Sequence, residues 1–183
     1  MFLFGRRKKE NTENFVIEIK EYQPDNFDYL FQNAIEDFDD GDIKGAIAHL
    51  NRCLKINPNH SEAHTRLGIC FIAQGKQDIA VKEFLEAIRL DHNNSYAHNY
   101  LASTYEKQGK LEKAISEWKA AVKIKPYYAS YLDLGTAYDK KGQYGDAIKA
   151  YQSFLKLTPP KYTADIKKVE KRLNELKKKV KSK

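Results

Sequence analysis

Residues 67–92 read LGICFIAQGKQDIAVKEFLEAIRLDH. Leu67, Gly68 and Phe71 recur at helical spacing before Gly75, and Ala80, Phe84, Ala87 and Ile88 do so after it. A glycine behind a helical run supplies the left-handed residue that stops a helix. The small residues Gly68 and Ala80 allow two helices to approach closely, and Phe84 has the bulk to fill the space beside them. The stretch predicts a helix–turn–helix unit.

The unit recurs. Taking Ala80 as the reference, Ala46, Ala114 and Ala147 stand at equivalent places, separated by 34, 34 and 33 residues. Twelve residues before each are Ala34, Gly68, Ala102 and Gly135, all tiny; five before are Gly41, Gly75, Gly109 and Gly142. Four residues after are Leu50, Phe84, Trp118 and Tyr151, all large; twelve after are Pro58, His92, Pro126 and Pro159. Proline stops the second helix and starts the next connection. A fixed period of this length is the mark of a stacked repeat array.

These residues resemble the tetratricopeptide repeat (TPR) family over residues 27–161. The resemblance implies an all-α fold, a right-handed solenoid of four helix–turn–helix repeats at 27–60, 61–94, 95–127 and 128–161. Some positions depart from the family pattern. Asn33 and Asp37 stand where repeat one would carry leucine and tyrosine, His64 and His98 replace a large apolar residue, and His92 replaces proline. Phe154 replaces a small residue in the last repeat, which fits a capping helix behind it rather than a fifth repeat. Residues 162–183 read as that cap: Ile166, Val169, Leu173, Leu176 and Val180 form one apolar stripe, with Thr163 able to cap the start.

Residues 1–26 form an extension. Phe15 to Tyr22 fits a partial strand or a short helix, expected to pack on the solenoid either over repeat one or in its groove, and Asp25 is placed to cap the first helix. The N-terminal run places its four apolar residues ahead of Arg6, Arg7, Lys8 and Lys9, the reverse of a secretory signal. The expected location is therefore cytoplasmic, with membrane association as the alternative.

The chain has 183 residues, 42% hydrophobic and 31% charged, with a net charge of +7. Residues 15–60 carry −5 while residues 161–183 carry +7. Basic termini point to a second reading, a peripheral membrane-associated or self-assembling protein tethered through them, by weak contact with anionic lipid. Nucleic acid is disfavoured because Tyr162 is the only aromatic residue in the basic cap available for base stacking.

Nothing in the sequence carries catalysis or a cofactor. It has no phosphate-binding loop, no nucleophile elbow and no CxxC or HExxH metal pattern. Cys53 and Cys70 occupy interior repeat positions and read as packing residues. His60 and His64 lie four apart but lack the rest of a zinc site, and the acidic run from Glu36 to Asp42 lacks the spacing of a calcium loop. No metal, cofactor or catalytic residue is expected.

The family resemblance implies a non-catalytic adaptor that takes a protein or peptide with apolar and aromatic anchors into a concave groove lined by the first helices. The implied contacts are Phe31, Ile35, Arg66, Ile69, Tyr96, Asn99, Tyr100 and Leu132. Toward repeat four the groove positions turn polar and acidic, with Asp133 and Asp139 among them. One subclass of the family grips a chaperone's terminal carboxylate with lysine, asparagine and arginine. The corresponding places here hold Phe31, Ile35, Arg66, Tyr96 and Tyr100 in one frame, or Thr65, Ile69, Tyr100, Ala129 and Asp133 in the other. A carboxylate clamp is disfavoured in both.

Overall fold

The structure is a computed structural model that describes residues 26–181. The stretch at 15–22, the basic run at 6–9 and the expected cap Asp25 lie outside the described residues. Nine helices, and among the described residues no strand, follow in order: α1 Phe27–Asp39, α2 Ile43–Ile56, α3 Ser61–Ala73, α4 Gln77–Leu90, α5 Ser95–Lys107, α6 Leu111–Ile124, α7 Tyr128–Lys140, α8 Tyr144–Leu157 and α9 Thr163–Lys181. The molecule is the expected helical-repeat solenoid: four helix pairs, each helix packed on its sequence neighbours, and a ninth helix on the last pair.

The four periodic glycines join the helices of each pair. Gly41, Gly75, Gly109 and Gly142 have φ of 85°, 74°, 73° and 71°, where a side chain would be strained. At Gly75 its own N–H donates to the Ile72 carbonyl at 2.9 Å and the Lys76 N–H donates to the Phe71 carbonyl at 2.8 Å. The other three turns repeat both bonds. This double closure satisfies carbonyls that the end of the first helix leaves open. The residue after the glycine is already the N-cap of the second helix, so one left-handed residue reverses the chain.

Within each pair the small first-helix position faces the large second-helix one. A Cβ built on Gly68 would lie 2.5 Å from Phe84 Cε1, and one on Gly135 would lie 2.7 Å from Tyr151 Cδ1. Phe84 and Trp118 are wholly buried, within one core cluster that also takes in Ala102 and Leu134.

Polar bonds then tie one pair to the next. Asn94 caps α5 by accepting from the Ala97 N–H, and its Nδ2 donates to Ser61 Oγ at 2.8 Å and Thr65 Oγ1 at 2.9 Å. The histidines that depart from the family pattern bring their own partners. His64 Nδ1 lies 2.8 Å from Glu83 and His98 Nδ1 2.6 Å from Glu117, each joining the two helices of a pair. The Glu83 bond raises the pKa of His64. In repeat one, Asp37 meets His49 Nδ1 at 2.8 Å. His60 is an N-cap, accepting from the Ala63 N–H, and its ring lies tilted against Phe27 and edge-on to Phe31. The first helix is capped by Asn26, which accepts from the Tyr29 N–H.

The ninth helix covers the last pair with Val169, Leu173 and Leu176, which enclose Phe154 and Tyr151. Arg172 adds a two-pronged pair to Asp139, at 2.6 and 2.8 Å. Two expectations for this helix are corrected. Val180 is 46% exposed, because the last turn of α9 carries the stripe past the surface it covers. Thr163 is the first residue of α9, not the residue before it. Phe154, at 1% exposure, owes its burial to this helix. Removing residues 163–183 should therefore bare Phe154 and Leu155. The truncated chain is expected to melt lower and aggregate, since each large apolar side chain uncovered costs about 1.5–3 kcal/mol. An unchanged melting temperature and solubility would reject the cap.

Candidate functional site

The first helices α1, α3, α5 and α7 carry every candidate contact, and the structure separates those contacts into packed and open ones. Phe31, Ile69 and Leu132 are half-buried and pack against core clusters. Ile35 is half-buried on α1. Phe31 is stacked with Phe27 at 5.7 Å and lies beneath the Arg66 guanidinium at 5.3 Å. That guanidinium also donates twice to Glu62 Oε1, so the charge of Arg66 is already engaged.

Tyr96 and Tyr100 are the open ones. Tyr96 is 62% exposed, with the Lys125 ammonium 5.5 Å from its ring. Tyr100 is 38% exposed and stacks on buried Phe84, ring centroids 5.9 Å apart and 14° from parallel. A stacked ring has a fixed orientation, so little freedom is lost when a partner covers it. Asn99 bridges to the next pair, its Oδ1 accepting from Ser130 Oγ at 2.9 Å. The structure thus brings Phe31 together with Arg66, and links Asn99 to α7.

One residue stands out beyond the eight. Asp133, on α7, is partly buried, and among the described residues no side chain donates a hydrogen bond to it or pairs with it. Burial first, and the negative charge of Glu106 second, push its carboxyl from 3.8 to about 6; the Lys140 charge opposes them. The neighbouring acids are compensated: Glu106 accepts from Lys140 at 2.6 Å, and Asp139 from Arg172. The sequence puts Asp133 at a groove position between Leu132 and Leu134, but the lack of a partner becomes visible only once the neighbours are placed.

The cysteines sit in the interior. Burial pushes the thiols of Cys53 and Cys70 up to about 11, which keeps them protonated and poorly nucleophilic at neutral pH. Among the described residues no group of three metal-ligating side chains converges, and no helix is long and apolar enough to cross a membrane.

The comparisons with known proteins agree with this architecture. Models described as "Tetratricopeptide repeat" match residues 37–103, 95–128 and 128–161. Among curated proteins none matches significantly. Among solved structures, MamA is 26% identical, with a TM-score of 0.68 over 73% of this chain and 79% of that one. PilF of Pseudomonas aeruginosa is 19% identical, with a TM-score of 0.70 over 81% of this chain and 69% of that one. The first TPR domain of Spaghetti, solved with the HSP90 peptide SRMEEVD, is 15% identical, with a TM-score of 0.61 over 63% and 95%.

The raised carboxyl of Asp133 has a consequence for stability. Because its folded pKa lies above its unfolded one, the fold favours the protonated form, and stability is lost as pH rises from about 4 through about 6. Asp133→Asn should stabilise the protein at pH 7.5 by on the order of 1–3 kcal/mol and leave it unchanged near pH 4. Thermal melts at the two pH values check this, and equal or lower stability of the variant at pH 7.5 would refute it.

Proposed function

The chain belongs to the tetratricopeptide repeat family, and on that footing we propose that it is a non-catalytic adaptor holding a protein or peptide segment along its first-helix face. The repeats and the structural likenesses support a protein-interaction scaffold in general terms. The finer reading rests on one observation above all. Tyr96 and Tyr100, two large aromatic side chains a turn apart on the central first helix, are left exposed when the chain has filled its core with Phe84, Trp118 and Phe154. Exposed, pre-oriented aromatics are the residues that dominate protein interfaces.

Phe31, Ile35, Ile69 and Leu132 would extend that contact with apolar surface. Arg66 and Asn99 would orient the backbone of the bound segment. The adaptor reading without catalysis is supported by the protonated, interior cysteines and by His60 and His98 engaged in a cap and in a hydrogen bond to Glu117.

The Spaghetti domain holds an acidic peptide, but this chain is not expected to copy that contact. At the clamp places it offers aromatic and aliphatic side chains with Thr65 and Asp133, and the one arginine, Arg66, is taken by Glu62 and Phe31.

The test is a quantitative pull-down with the full chain beside a Tyr96→Ala, Tyr100→Ala variant of matched melting temperature. Truncating interface aromatics costs more than about 1 kcal/mol each, so the specific partner should be retained at least tenfold less by the variant. Equal retention of every specific partner would remove the two tyrosines from the proposed site.

A further inference from the structure

We propose that the groove between α5 and α7 selects a partner segment bearing an arginine or lysine beside an apolar residue, with Asp133 as the acceptor of the cation and Tyr100 as the aromatic wall. This rests on the groove-binding reading above and names the chemistry of its ligand.

The placement follows from two bonds that fix α5 against α7. Asn99 meets Ser130, and seven and ten residues further along, Glu106 meets Lys140. Asp133 lies between these ties, three residues beyond Ser130 and seven short of Lys140, in the register of Tyr100 on the facing helix. The proximity of Glu106 to Asp133 is felt in the carboxyl's electrostatics. Of the charges here, Glu106 and Lys140 cancel, as do Asp139 and Arg172 joining α7 to α9. Asp133 is the residual charge, and it is negative.

A partly buried carboxylate without a donor is costly to keep ionised. A guanidinium or ammonium supplies the missing donors, and the face of Tyr100, in the same register on α5, would stabilise the same cation. Tyr100 already has one ring partner in Phe84 and remains 38% exposed. Leu132, half-buried beside Asp133, offers apolar surface for a neighbouring side chain of the partner. An acidic segment would meet an uncompensated like charge, so the complementarity runs toward a basic partner.

The experiment is selection of a random dodecapeptide display library on the full chain at pH 7.5, repeated on Asp133→Asn and Tyr100→Leu variants and with a wash at pH 5. The expected wild-type pool is enriched in arginine or lysine adjacent to leucine, isoleucine or an aromatic residue. Synthetic peptides from that pool should bind Asp133→Asn at least tenfold more weakly. They should also release at pH 5, below the value of about 6 to which the Asp133 carboxyl is raised. Loss of binding in Asp133→Asn is interpretable because that variant is expected to fold at least as well as the wild type.

A pool enriched in apolar residues alone, or in acidic ones, would overturn the cation site and leave the groove reading standing. No enrichment over an unrelated helical protein would overturn both. If the enriched peptides bind the full chain more weakly in the presence of a synthetic peptide of residues 1–14 that itself binds the wild type and not Asp133→Asn, the chain's own basic terminus is the occupant, and the partner proposal fails. A chain that runs as a dimer, and as a monomer when Asp133 is asparagine, would make a second copy the occupant and equally refute it.

Discussion

The close approach of two helices at one small residue is the constraint on which the rest of this molecule depends. At Gly68 and Gly135 there is no room for a β-carbon, because the Phe84 and Tyr151 rings occupy that space. Interiors are packed to the density of organic crystals, so a ring and a helix backbone in such contact set the spacing of the pair. A helix pair held at that distance can close its turn with one left-handed glycine. The same distance carries the first helices side by side along the chain, where Asn94 can reach Ser61 and Thr65 across the repeat boundary. The face presented to a partner is a by-product of this packing. Once Phe84 is seated under the first helices, Tyr100 stacks on it and stays partly open.

The solenoid spends polar groups in two ways. Between two helices, charged and ring-nitrogen groups meet partners: His64 with Glu83, His98 with Glu117, Asp139 with Arg172; the buried Trp118 Nε1 has none among the described residues. A histidine in place of an apolar residue is tolerated because a carboxylate nineteen residues later meets it. On the groove side Asp133 has no such partner among the described residues. Groups that cost a fold stability while facing open surface are where binding sites concentrate, and here the cost falls on α7, near Glu106 of the neighbouring first helix.

Much of the fold was legible in the sequence, because its decisive contacts recur with a fixed period. Gly41, Gly75, Gly109 and Gly142 announce themselves by register, and their positive φ is the only conformation that closes the turn. Phe154 pointed to a cap, and α9 buries it. Other features turn on contacts that no period encodes. Val180 continues the apolar stripe of α9 but has no surface left to cover, which depends on where α8 ends. The engagement of Arg66 by Glu62 is readable as a four-residue spacing, but its place over Phe31 comes from an adjacent repeat. Asp133 is the strongest instance, since the absence of a partner is a property of every neighbour at once. The eight candidate contacts came from family register, and register places a residue on a face without saying how much of it packing leaves open.

The central claim is that ring-against-glycine contact sets the geometry of the second and fourth pairs. It is tested most directly by a double-mutant cycle on Gly68→Ala and Phe84→Leu, read by chemical denaturation. Alanine favours a helix interior over glycine by about 1 kcal/mol, yet Gly68→Ala should destabilise the protein by about 1–3 kcal/mol because its β-carbon overlaps the Phe84 ring. In the Phe84→Leu background, with the ring edge gone, the same substitution should cost at least about 0.5 kcal/mol less. A Gly68→Ala variant as stable as the wild type or more so, or strict additivity of the two substitutions, would contradict the account.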